Sequence, residues 1–203
     1  MWNTIEHYGP KYGYYPQASK TWIIVKPDHF KKAKEIFADT EIKITTKGKK
    51  HLGVVIGDAE YRESFMIDEI NIWLADLTTL VKIAIIAPHE AYTCFTAGYK
   101  HKLNYYMRTI PNIGSHLKKV DDLITTLLIP SMTGGIFPKE IERRIFSLPP
   151  SMGGLGITIF REVSKKEFQN SNELTKSLQN DIVNQTSQSI KLIKTQLIRS
   201  TEK

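Results

Sequence analysis

The stretch that decides the fold is 51–57, His-Leu-Gly-Val-Val-Ile-Gly, where a strand pattern gives way to a helical one. Its β-branched run lies between glycines, which is typical of a strand beside a turn. The following stretch, 58–87, has apolar residues at helical spacing and ends before Pro88. These apolar residues are Tyr61, Phe65, Ile70, Trp73, Leu77, Leu80 and Ala84. We therefore expect an α+β fold, with strands first and helices afterwards.

The residues before this stretch predict a small strand-helix-hairpin unit over 1–58. The run 21–25, Thr-Trp-Ile-Ile-Val, is typical of a buried strand, and Asp28 is placed to cap a short helix. Ile42 and Ile44 then predict the first strand of a hairpin. We expect this hairpin to turn at Lys47-Gly48 and to return through 51–57.

The residues after this stretch predict a mostly α-helical bundle over 59–160 and a polar helical tail over 161–203. Prolines and glycines bound the expected helices at 58–87, 89–110 and 115–132, and a short fourth helix follows Pro138. The Gly-rich segment 152–156 predicts a tight turn. In the tail, an amphipathic stripe is formed by Leu174, Leu178, Ile182, Ile190, Ile193 and Leu197.

Composition excludes several classes of protein. The 203 residues include 28 Lys and Arg against 21 Asp and Glu, a net charge of +7. The longest apolar run, 83–87, is far shorter than the roughly 20 residues that cross a bilayer, so no membrane partner is expected. No secretory or transit pattern begins the chain, which favours an intracellular protein. Cys94 is the only cysteine, which excludes an internal disulfide, and we expect it to be buried.

No metal site is predicted. The pair Asp121-Asp122 resembles the magnesium-binding aspartates of polymerases in letters only, because it lies in a helical pattern, and we expect it on a solvated face. The six histidines show no ligand spacing. No catalytic Ser/His/Asp or Cys/His set can be assigned from the sequence alone.

Positive charge is concentrated in 91–120, which contains no Asp or Glu. Its basic residues are interleaved with four tyrosines, a combination that suits a nucleic-acid backbone and exposed bases. The alternative is a solvated basic helix face with tyrosines in the core. A second cluster, Lys47, Lys49 and Lys50, lies beside the expected hairpin. The basic residues of the first region are Lys100, Lys102, Arg108, Lys118 and Lys119.

Four segments follow one another along the chain: 9–16 (Gly-Pro-Lys-Tyr-Gly-Tyr-Tyr-Pro), 19–21 (Ser-Lys-Thr) before a strand, 51–53 (His-Leu-Gly), and 148–157 (Leu-Pro-Pro-Ser-Met-Gly-Gly-Leu-Gly-Ile). In this order they resemble the retroelement reverse transcriptases, which are RNA-directed DNA polymerases. The resemblance covers about 2–160 and leaves the tail unmatched. It implies that 1–58 is the C-terminal part of a polymerase palm and that 59–160 is the thumb.

The resemblance also implies roles for particular residues. Lys20 matches the palm lysine near the incoming nucleotide, and His51, Leu52 and Gly53 match the grip on the primer end. The basic residues of 91–120 would contact the phosphates of the template-primer duplex. In the family the catalytic aspartates lie in the part that would precede residue 1. We therefore expect Mg²⁺ only in a full-length polymerase, no cofactor in this chain, and no activity of this chain alone.

A second interpretation belongs to a different class. The apolar stripe of the tail predicts a non-catalytic helical interaction protein, whose amphipathic tail mediates self-association or binds a partner helix.

Overall fold

The structure, a computed structural model, describes residues 2–186. The chain forms two compact units, Met1–Met66 and Ile67–Lys203. Helices make up 70% of the structure and the strands are few, so the predicted α+β, mostly helical class is confirmed. No helix within 2–186 has both the length and the apolar composition needed to cross a membrane.

The first unit contains two small sheets. Strands β1 (Trp22–Ile24) and β2 (Lys43–Thr45) pair in parallel, and helix α2 (Phe30–Ile36) lies between them in sequence. This order is the usual one for parallel strands, which need a crossover rather than a tight turn. Strands β3 (Gly48–His51) and β4 (Val54–Gly57) form an antiparallel hairpin. Helix α1 (Trp2–Tyr8) begins the unit, and α3 (Ala59–Ile86) starts in it.

The hairpin turn expected at Lys47-Gly48 was wrong. The turn lies at Leu52-Gly53, where φ is 49° and 84°, and the strands meet with His51 opposite Val54. Two central residues with positive φ match the twist of a two-residue hairpin, and glycine adopts that geometry without strain. The segment around Ile44 pairs with β1 instead, placing Ile44 opposite Ile23.

The second unit contains the end of α3 and a set of packed helices. Short π-helical turns at Phe95–Tyr99 and Ile124–Leu128 interrupt two of the predicted helices without ending them. The Gly-rich turn is confirmed, with left-handed backbone at Gly153 and Gly156. The remaining helices are α4 (Pro88–Cys94), α5 (Lys100–Thr109), α6 (Gly114–Leu123), α7 (Ile129–Met132), α8 (Glu140–Ser147) and α9 (Phe160–Asn184).

Helix α9 is the described part of the predicted tail. It begins at Phe160 and packs against α5 and α6, with Phe160 and Ser164 buried. Phe160 joins Trp73 and Phe95 among the largest fully buried side chains of this unit. The stripe residues Ile190, Ile193 and Leu197 lie outside the described residues.

Two burial expectations for the second unit were wrong. Cys94 is exposed, because Ala91 and Phe95 take the inward positions of that helix turn. Asp121 is only 4% exposed, although its neighbour Asp122 does lie on the solvated face. Asp121 is buried because its carboxylate accepts hydrogen bonds from the backbone at the start of α9.

Candidate nucleic-acid interface

The five predicted basic residues lie on the neighbouring helices α5 and α6 of the second unit. Lys102, Arg108, Lys118 and Lys119 are exposed, whereas Lys100 is half-buried with its ammonium beside Gly156 of the Gly-rich turn. The structure therefore places these side chains on two helices of the same unit.

Three of the five cations form ion pairs. Lys102 Nζ lies 3.0 Å from Asp76 Oδ2, and Arg108 Nε lies 2.8 Å from Glu167 Oε2. Lys118 Nζ lies 2.6 Å from Oδ2 of Asp122, the second residue of the Asp121-Asp122 pair. Although 91–120 contains no acidic residue, acidic side chains from other segments therefore lie beside three of its cations.

The sequence could not show the first two pairs, because their members are 26 and 59 positions apart. Asp76 comes from α3 and Glu167 from α9, and each reaches α5 only through the packing of the helices. The pair Lys118–Asp122 has the i, i+4 spacing that helix periodicity predicts.

Acidic residues elsewhere in the second unit offset the positive charge of 91–120. The stretch 67–186 contains thirteen Lys and Arg against twelve Asp and Glu, a net charge of +1. Residues 1–66 carry +3, and residues 187–203 carry another +3. The remaining residues of 67–186 therefore cancel most of the +5 that 91–120 carries.

A buried polar network fixes the start of α9. The backbone N–H groups of Phe160 and Arg161 donate to the two carboxylate oxygens of Asp121, each at 2.9 Å. Arg143, which is 6% exposed, donates from Nη1 to the carbonyl of Ile157 at 2.6 Å and from Nη2 to that of Thr158 at 3.1 Å. Asp121 and Arg143 together hold the segment that leads into the helix.

Burial shifts the pKa of several groups in this unit. It raises the pKa of Asp121, although the two backbone donors and the charge of Arg143 act in the opposite direction. It lowers the pKa of Arg143. Burial, followed by the charge and hydrogen bond of Glu69, raises the pKa of Tyr106 to about 12. Burial also raises the pKa of Tyr99 well above its usual range, and its hydroxyl donates to the carbonyl of Trp73.

In the first unit the predicted grip residues are brought together. His51 ends β3, and Leu52 and Gly53 form the hairpin turn. Leu52 is 82% exposed and has a left-handed backbone that leucine rarely adopts. Lys20 is exposed at the end of a short 3₁₀ turn, Ala18–Lys20, just before β1.

Sequence reasoning missed a cluster of aromatic and basic residues in this unit. Trp22 was expected inside a buried strand, but it is 38% exposed. The Nζ atoms of Lys49 and Lys43 lie 4.3 Å and 5.6 Å from the centroid of its ring. The only advance signal was the high lysine content of 43–50, because the contact of Lys49 depends on the packing of β3 beside β1.

No part of 2–186 brings together three or more His, Cys, Asp or Glu side chains in a group that could hold a metal ion. Comparison of the chain with protein-family models, with curated proteins and with solved structures gave no match.

Proposed function

We propose that this chain is the palm end and thumb of a retroelement reverse transcriptase and that it binds a template-primer duplex through backbone contacts. The observation that carries the proposal is the hairpin β3–β4, whose exposed turn Leu52-Gly53 coincides with the motif that the resemblance assigns to the primer end. An exposed leucine in a rarely adopted backbone conformation costs stability, and such positions cluster at functional sites.

The order of elements supports the same proposal. A parallel strand pair and a hairpin come first, and a 28-residue helix then leads into a helical unit. In the resemblance, a palm is followed by a thumb in this order. The Gly-rich segment is held by a hydrogen bond of 2.7 Å from the Tyr92 hydroxyl to the carbonyl of Leu155.

The ion pairs of α5 and α6 are compatible with phosphate binding. Exposed ion pairs contribute only about 0–1 kcal/mol, so a phosphate can replace a carboxylate at small cost. Lys100 and Lys119 form no ion pair within the described part of the chain, so a phosphate that binds them displaces no carboxylate.

The test is binding of the full chain to an RNA/DNA hybrid, measured by fluorescence anisotropy over a range of salt concentrations. Each lost phosphate contact lowers the salt slope by about 0.9, so the double substitution Lys100→Gln, Lys119→Gln should lower it by about 1.8. Lys82→Gln removes an exposed lysine of α3 outside the predicted set and is the matched control. Equal slopes for all three proteins would contradict the proposal.

A complementary variant tests the ion pairs themselves. Asp76→Asn, Glu167→Gln and Asp122→Asn together release three cations from their carboxylate partners. The combined variant should bind the hybrid more tightly and with a steeper salt slope. An unchanged affinity would mean that these helices do not contact the duplex.

A second candidate function has its own observation. On α9 an apolar stripe is exposed at steps of four residues: Leu174 at 38%, Leu178 at 37% and Ile182 at 59%. Such a stripe suits pairing with the same stripe of a second copy of this chain, as in a coiled coil. This is the interaction-protein alternative, and it does not require nucleic acid.

Sedimentation of the full chain distinguishes the two candidates. Leu174→Gln with Leu178→Gln should abolish self-association and leave hybrid affinity unchanged if the stripe is an interface. Lys176→Gln changes an exposed residue of the same helix segment and serves as the control. A wild-type protein that is monomeric at high concentration would exclude the second candidate.

A further inference from the structure

In the aromatic-lysine cluster of the first unit, two lysines, Lys43 and Lys49, lie over one ring, that of Trp22. Trp22 and Lys43 are opposite each other in the parallel pair β1–β2, and Lys49 comes from the hairpin strand β3. Both ammonium groups lie within 6 Å of the indole centroid, at 5.6 Å and 4.3 Å. Two sheets therefore place two cations around one partly exposed ring.

Neither lysine of the cluster has a carboxylate partner within 2–186. In the second unit, by contrast, three of the five predicted cations are paired with acids. Cation–π contacts at exposed sites are weak, so these lysines can turn toward an anion without losing a strong interaction. The cluster thus offers positive charge that no acid neutralises.

An exposed indole and two such ammonium groups match the two parts of a nucleotide. Proteins that bind single strands combine cations that contact the phosphates with aromatic rings on which bases stack. A duplex offers its phosphates but keeps its bases stacked on one another, so the exposed ring is useful only to an unpaired base. The chemistry of the cluster therefore favours a single strand over a duplex.

We infer that the aromatic-lysine cluster is a binding site for single-stranded nucleic acid, in which Lys43 and Lys49 bind a phosphate and an unpaired base stacks on Trp22. This site goes beyond the proposed duplex binding by the helices, and it stands without that proposal. It assigns a contact to β1, β2 and β3, of whose side chains in the cluster the sequence had singled out Lys49 alone.

Tryptophan fluorescence provides a direct readout for the stacking. The chain has three tryptophans, of which Trp73 is fully buried and Trp2 is half-buried. Titration of the full chain with an oligothymidylate should quench the fluorescence through Trp22. Trp22→Phe retains an aromatic ring in the strand, and it should remove the quenching. Quenching that persists in this variant, or a wild-type protein that does not bind, would overturn the inference.

Salt dependence tests the two lysines. For a single strand, the slope of affinity against salt changes by about 0.7 per phosphate contact, so Lys43→Gln with Lys49→Gln, which removes the contact with one phosphate, should lower the slope by about 0.7. Lys34→Gln is the matched control, because its ammonium also lies over a ring, 4.9 Å from the centroid of Phe30, without a second lysine at that ring. A slope equal to that of wild type in the double variant would overturn the inference.

The two sets of variants separate this site from the proposed function. If only the helix cations contact nucleic acid, the hybrid slope changes in the α5–α6 variant and the oligothymidylate slope stays unchanged in the cluster variant. If the cluster binds a single strand and the helices do not contact a duplex, the oligothymidylate slope falls in the cluster variant and the hybrid slope stays unchanged in the α5–α6 variant.

Discussion

Replacement of Asp121 by alanine should destabilise the protein far more than the same change at Asp122. Asp121 accepts both N–H groups at the start of α9, and that of Phe160 is buried. The substitution leaves this buried donor unsatisfied, which costs about 1–3 kcal/mol. The substitution also removes the negative charge that acts on the buried Arg143. We expect the free energy of unfolding to fall by about 3 kcal/mol.

The assay is urea unfolding of the full chain, followed by circular dichroism. Asp122→Ala is the matched control, because Asp122 is the adjacent residue and forms only an exposed pair with Lys118. Its loss should cost at most about 1 kcal/mol. Equal losses in the two variants, or a loss below about 1 kcal/mol in Asp121→Ala, would refute the assignment of Asp121 as the buried cap of α9.

Three further predictions concern local geometry. Gly154→Ala should destabilise the protein, because an added Cβ would lie 2.6 Å from the Leu148 Cβ. Gly98→Ala is the control and should not destabilise it, because a Cβ there would meet no atom within 4 Å. Thermal melts of the two variants test this difference. Raising the pH from 10 to 12 should lower the free energy of unfolding, because a tyrosine in the unfolded chain ionises near pH 10 whereas Tyr106 in the folded protein stays protonated up to about pH 12. Tyr106→Phe should reduce this pH dependence. An unchanged urea midpoint of the wild-type protein between these pH values would contradict the prediction. Leu52→Asn should stabilise the hairpin turn by a few tenths of a kcal/mol, because asparagine adopts the positive φ of this position more readily than leucine does. The same variant should bind the hybrid more weakly. Equal or tighter binding would contradict the assignment of Leu52 to the primer grip.

The sequence predicted the helical elements well, because their signals are local. Apolar residues at helical spacing, together with Pro88 and Pro111, are sufficient to place α3 and the helices that follow it. The strand unit was predicted less well. A lysine-glycine pair is a reasonable turn signal, but pairing between β1 and β2 moved the turn to Leu52-Gly53. Strand partners depend on contacts between distant segments, which periodicity does not show.

In the candidate sites, too, local features could be predicted from the sequence, whereas contacts between distant segments could not. The basic residues were visible in the sequence, but their partners Asp76 and Glu167 were not, since helix packing brings them together. Asp121 of α6 had the pattern of a solvated helix face, and its burial is explained by its hydrogen bonds to the start of α9. The aromatic-lysine cluster was hidden for a similar reason, because it joins strands of two different sheets.

The most direct test of the central claim is the affinity of the full chain for an RNA/DNA hybrid with a recessed primer end, measured against salt concentration. We expect the logarithm of the affinity to fall linearly with the logarithm of salt concentration, with a shallower slope when Lys100 and Lys119 are replaced by glutamine. A folded protein that does not bind the hybrid at low salt, or that binds it without a salt slope, would contradict the proposed duplex binding.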